Sequence, residues 1–148
     1  MSQRANRKKY EYLQSLSNKA EILERSGKNI VFNFKFFCFG KSGGQSFEEW
    51  ERERILADLN SKLKDFSCKT VDELIADGKL ELYDAYPKGS KFTCPAVLQC
   101  VDITWSRLRL TGRRRLIGFF SIQDKQPRKT FYVVFLDKNH DFAPSSKN

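Results

Sequence analysis

The side chains best suited to chemistry lie late in the chain. Five arginines, Arg107, Arg109, Arg113, Arg114 and Arg115, fall within nine residues, and the single histidine is His140. Guanidinium groups grip phosphate oxygens in a bidentate fork, and an imidazole moves protons near neutral pH. Together they suit RNA cleavage without a metal. The ribose 2′-hydroxyl attacks the adjacent phosphate, an arginine neutralises the developing charge, and a histidine, carboxylate or lysine moves the protons. Arg115 and His140 are the catalytic candidates. Arg107, Arg109, Arg113 and Arg114 are candidates for binding substrate, with Trp105 or Phe142 stacking on an unstacked base. Each has a plainer reading: a solvated charge run, a loop histidine, a packed aromatic ring.

The charge distribution favours a polyanionic partner. The 148-residue chain carries a formal +9. Residues 105–129 hold eight basic side chains against Asp124 alone, a net of +7. Residues 1–28 hold seven against three, a net of +4, whereas residues 45–86 hold six against eleven, a net of −5. Such a concentration sets up a local positive potential.

Other chemistries find little support. Cys38, Cys68, Cys94 and Cys100 show no metal-ligand spacing, and no Cys/His cluster resembles a zinc site. No metal or other cofactor is expected. The polar, charged N-terminus lacks the apolar segment of a signal peptide, and no stretch approaches membrane-spanning length. The expectation is a cytoplasmic protein with free thiols. The loop Gly40-Lys41-Ser42-Gly43-Gly44 lacks the spacing of a phosphate-binding loop and reads as a connector.

These groups need elements to position them. Residues 4–26 read as a helix, with Leu13, Leu16, Ala20 and Leu23 on one face and Arg4, Arg7, Lys8, Lys9 and Lys19 on the other. Residues 30–39 read as a strand with Ile30, Phe32, Phe34 and Phe36 on one face. Ser46 to Glu49 forms a capping box that opens a helix bearing Leu56, Leu59, Leu63 and Phe66. Thr70 to Glu73 repeats the box and opens a shorter helix that Gly78 ends. A short strand follows over 79–85, then an irregular connector over 86–102. Three strands over about 103–110, 114–122 and 131–137 complete an antiparallel meander, the first two joined at Thr111-Gly112. The predicted fold is α+β: an antiparallel sheet of about four to five strands with helices on one face. It divides into a basic N-terminal helix (1–28), the α+β domain (29–142) and a tail (143–148).

Strand alternation puts Arg107 and Arg109 on one face with Ile103 and Trp105, and Leu108 and Leu110 on the other. If the last two strands pair, Arg115 enters near the point where His140 leaves. A guanidinium and an imidazole then meet at one end of the sheet.

The run W-S-R-L-R-L-T-G-R-R-R-L-I-G-F-F from Trp105, with F-Y-V-V-F-L-D-K-N-H-D-F ending at Phe142, resembles the C-terminal half of RelE/YoeB-type toxins of the RelE/ParE superfamily. It also resembles a group of uncharacterised bacterial proteins. The toxin resemblance implies a RelE-like scaffold with an extra N-terminal helix. It implies an mRNA-cleaving endoribonuclease of a toxin–antitoxin system, acting alone or on the ribosome. Arg115 then matches the arginine that stabilises the transition state, His140 the histidine near the scissile phosphate, and Phe142 the terminal aromatic. Phenylalanine cannot transfer protons. Ala96 stands near the family's carboxylate base, so Asp102 or Lys91 would have to substitute. An acidic antitoxin segment is the implied protein partner. The alternatives are a non-catalytic nucleic-acid or protein-binding module on the same fold, including a ParE-like gyrase inhibitor, and an unrelated immunity or defence accessory protein.

Overall fold

In the computed structural model, which describes residues 3–99 and 101–144, local signals in the sequence set most element boundaries. Helix α1 (Gln3–Ser26) contains neither Gly nor Pro and ends where the Gly27 amide donates to Leu23 O. Helix α2 (Phe47–Arg52) opens at the Ser46 capping box, and helix α4 (Val71–Ala76) at the Thr70 box. In both, the hydroxyl accepts from the glutamate amide and the carboxylate reaches back. The single helix expected after Ser46 is broken in two. Arg54 adopts a left-handed conformation, Ile55 N donates to Trp50 O, and α3 (Leu56–Phe66) starts afresh.

The sheet has five strands: β1 (Val31–Asn33), β2 (Leu80–Leu82), β3 (Ile103–Arg109), β4 (Arg115–Ser121) and β5 (Thr130–Asp137). Their spatial order is β1-β5-β4-β3-β2. The late meander pairs antiparallel as predicted, and β2 adds antiparallel to β3. β1 instead runs parallel to β5, so the sheet is mixed and the all-antiparallel expectation is corrected. β1 is also shorter than the predicted strand over 30–39. The Asn33 side chain accepts the Lys35 amide, which turns the chain out of the ladder.

Both sheet faces are covered. Helices α2, α3 and α4 lay Trp50, Leu59, Phe66 and Leu74 on Leu108, Leu116, Phe120, Phe131 and Leu136. The opposite face carries Trp105, Ile117, Phe119 and Phe135, sealed by Phe92, Leu98 and Phe142 from the connector and the C-terminal segment. Six of the seven β4 residues are buried. That explains its unbroken apolar run, because a strand covered on both sides has no polar alternation to show.

A bulge in β5 supports this two-sided packing. The register shifts between Ile117 and Gly118, leaving Val134 unpaired and facing the aromatic layer with Phe135. Gly118 is required there: a Cβ would fall on Tyr132 O and the Phe131 ring.

Helix α1 does not join either layer. Each of its described side chains is exposed, including Leu13, Leu16 and Leu23. Residues 145–148 of the expected tail, and Cys100, lie outside the described residues. Cys38, Cys68 and Cys94 are free thiols. Among the described residues, no helix is long and apolar enough to cross a membrane.

Candidate nucleic-acid interface

Strand register gathers the charged residues at one end of the sheet. Arg109 pairs with Arg115 across β3–β4, and Arg115 pairs with Asp137 across β4–β5. One step along, Glu81 of β2 faces Arg107. Directly opposed residues share a face, so Arg107, Arg109, Arg115, Glu81 and Asp137 converge where β3 ends and β4 begins.

Arg115 is the innermost of these. It is 7% exposed, and its Nη1 donates to Gly112 O and Arg114 O, both at 2.8 Å. These bonds brace the β3–β4 turn, in which Gly112 takes a left-handed φ of 64°. Its Nε is buried without a hydrogen-bond partner among the described residues. Burial, then repulsion from Arg107 and Arg109, lowers its pKa, and Asp137 partly opposes this. A guanidinium begins so far above neutrality that it stays charged.

Asp137 shapes the turn that carries the histidine. Its Oδ1 accepts from the Asp141 amide and its Oδ2 from the Phe142 amide, each at 2.9 Å. Burial pushes its carboxyl pKa up, while those two amides pull it down. The closed loop leaves His140 in the left-handed region, at φ 61°. Lys91 pins the same loop from outside, through its amide to Asp141 O and its Nζ to Asp141 Oδ1 at 3.4 Å.

The His140 imidazole meets Arg107, with Nη1 and Nε2 2.7 Å apart. Arginine can only donate, so Nε2 accepts and the imidazole in this contact is neutral, with its proton on Nδ1. That tautomer follows from the hydrogen bond. The other arm of Arg107, Nη2, lies 2.5 Å from Glu81 Oε2. Carboxylate, guanidinium and imidazole thus form one chain.

Tyr83 stands beside them. Its amide donates to Trp105 O, which holds it next to β3. Its Oη is buried without a hydrogen-bond partner among the described residues. Burial above all pushes its pKa up to about 12; Arg107 and Arg115 oppose this, while Glu81 and Asp137 add to it. The phenol is therefore a neutral donor at physiological pH.

The remaining sequence candidates divide. Arg109 and Arg113 are exposed. Arg114 turns toward the helices, where Nη2 donates to Asp58 Oδ2 at 3.1 Å. Trp105 and Phe142 are 5% and 0% exposed. Their rings pack on each other and on Tyr86 and Phe135, so neither offers a face to a base, and the stacking expectation is corrected. His140 leaves β5 near Arg115, as the hairpin argument expected, but its imidazole bonds to Arg107 instead. Asp102 lies before β3, at the opposite end of the sheet from His140, and cannot act there as base.

Sequence reasoning missed Glu81, Tyr83 and Asp137. The first two alternate along the 79–85 segment, which is the signal that places both on one face of a strand. Asp137 followed after four and five residues by its own amide partners is a local capping pattern. No known family, curated protein or solved structure matches this chain.

Proposed function

We propose that the chain is a toxin-like RNA-binding protein on a RelE-like scaffold, and that it cleaves RNA without a metal at the Arg107–His140 pair. The observation that carries this reading is the 2.7 Å contact of Arg107 Nη1 with an accepting His140 Nε2, beside buried donors on Tyr83 and Arg115 that have no partner among the described residues. A phosphate is a stronger acceptor than imidazole for a guanidinium. Phosphate binding would draw Arg107 away and free Nε2 to take the 2′-hydroxyl proton. The 2′-oxygen then bonds to phosphorus, the P–O5′ bond breaks, and the 5′-oxygen takes a proton from water. Arg107 and the Tyr83 hydroxyl stabilise the charge gathering on the phosphoryl oxygens. Arg115 contributes its positive field while it braces the turn.

In this reading the protein works in the cytoplasm, with an acidic antitoxin segment covering the basic end of the sheet until it is released. A second reading has its own support: His140 Nε2 is already occupied by Arg107, as expected of a non-catalytic module that binds nucleic acid or protein, including a ParE-like gyrase inhibitor.

Controlled expression separates them. Wild type should arrest growth and fragment transcripts, while Arg107→Ala and His140→Gly should relieve both and remain folded. Binding of RNA without cleavage favours the module. Failure of purified wild type to bind RNA at low salt removes both RNA readings.

A further inference from the structure

The charged end of the sheet continues around its β2 edge into a second recess, of about 140 Å³, between α3, α4 and the end of β3. Its floor is apolar, formed by Phe66, Leu74 and Leu110. Its rim carries Lys62, Lys79 and Arg109. Lys69 also borders it but is spent on Asp77 at 2.6 Å.

Asp65 is the one carboxylate in the lining. It offsets about a third of the three rim cations, so the recess keeps a positive field above a buried apolar floor. That combination suits an anionic group.

Strand geometry links this recess to the Arg107–His140 pair. Arg109 N donates to Lys79 O at 2.8 Å, so Lys79 and Arg109 lie opposite each other across the β2–β3 ladder. They sit two residues beyond the Glu81–Arg107 pair, a step of roughly 7 Å along a strand.

We propose that this recess is a second nucleotide subsite for the same RNA strand. The neighbouring nucleotide's phosphate lies between Lys79 and Arg109, with Lys62 across the rim and the buried Phe66 and Leu110 beneath it. This rests on the RNA-binding reading above and adds a direction to it. The strand leaves the Arg107–His140 pair over the β2 edge toward the helices, not across the aromatic face, which is sealed by Phe92 and Phe142.

The test uses the full chain and two fluorescent probes: the dinucleotide UpU, and an oligouridylate long enough to cross both sites. Lys62→Gln/Lys79→Gln removes both charges and keeps side-chain length, with thermal melting as the check on folding. Single-stranded binding loses about 0.7 in the slope of log K against log salt for each phosphate contact removed. The double variant should bind the long probe roughly 5–10-fold more weakly at moderate salt, with a slope shallower by about 0.7, the value for the one phosphate the two lysines share. Its UpU binding should not change. Wild-type binding of the long probe with an unaltered slope in the folded double variant overturns the subsite alone. Loss of UpU and long-probe binding in equal measure also overturns it, because the lysines would then act only through the general field. If wild type binds neither probe, the RNA-binding reading falls and the subsite with it.

Discussion

Arg107 holds the His140 imidazole, with Nη1 and Nε2 2.7 Å apart, while Arg115, three residues from Gly112, turns inward to brace its own hairpin. The two arginines therefore do different work, although they stand in the same basic run. One contacts the group able to carry a proton, and the other holds the strand end that brings it there.

Their variants should separate accordingly. Arg115→Ala strips hydrogen bonds from two carbonyls and empties a buried site, so it should cost about 2–4 kcal/mol of stability. Arg107→Ala removes a partly exposed side chain, and its effect should stay within roughly 1 kcal/mol while RNA binding falls at least tenfold. Urea unfolding and fluorescence anisotropy on the same preparations check both. Equal stability losses would show that Arg107 is structural too.

At His140, glycine is the informative replacement. A side chain at φ 61° costs about 1 kcal/mol, which glycine avoids, while glycine loses a similar amount through the freedom of the unfolded chain. His140→Gly should keep the wild-type stability within about 0.5 kcal/mol, and it should abolish RNA cleavage. Retained cleavage in a folded His140→Gly protein would remove the imidazole from the chemistry.

The bulge predicts a steric failure far from the charged site. Gly118→Ala places a methyl against Tyr132 O and the Phe131 ring, both in the sheet interior. A loss of roughly 3 kcal/mol is expected, measured by chemical denaturation. A wild-type midpoint would mean that β5 relaxes without cost.

Asp58 predicts an acid-side dependence. Burial pushes its carboxyl pKa up, but hydrogen bonds from Thr111 and Arg114 more than offset this, so the folded value lies below the ordinary 3.8. The folded state therefore holds its proton less tightly than the unfolded chain. The stabilisation is present above the unfolded value and is lost as pH falls through the lower folded one. Asp58→Asn should flatten that part of the stability–pH curve, as followed by thermal melts between neutral and strongly acidic buffer. An unchanged curve would mean that the Asp58–Arg114 contact is not kept in solution.

By itself, the sequence determined the features that depend on near neighbours. Ser46 and Thr70 mark their helix starts, because a capping box closes within four residues. The β3–β5 meander is legible from turns and alternation, and the crowding of arginines at its first hairpin is a property of the chain alone. Only the tertiary structure decided what lies across the sheet. β1 runs parallel to β5 because pairing between distant segments leaves no local mark. Trp105 and Phe142 are sealed in because an irregular connector, without periodicity of its own, covers their face. The partner of His140 is Arg107 because Asp137 folds the turn back over the sheet toward β2, and that direction is set by two amide hydrogen bonds to a buried carboxylate. Residue spacing brought arginine and histidine to the same end of the sheet; it could not choose between neighbouring strands.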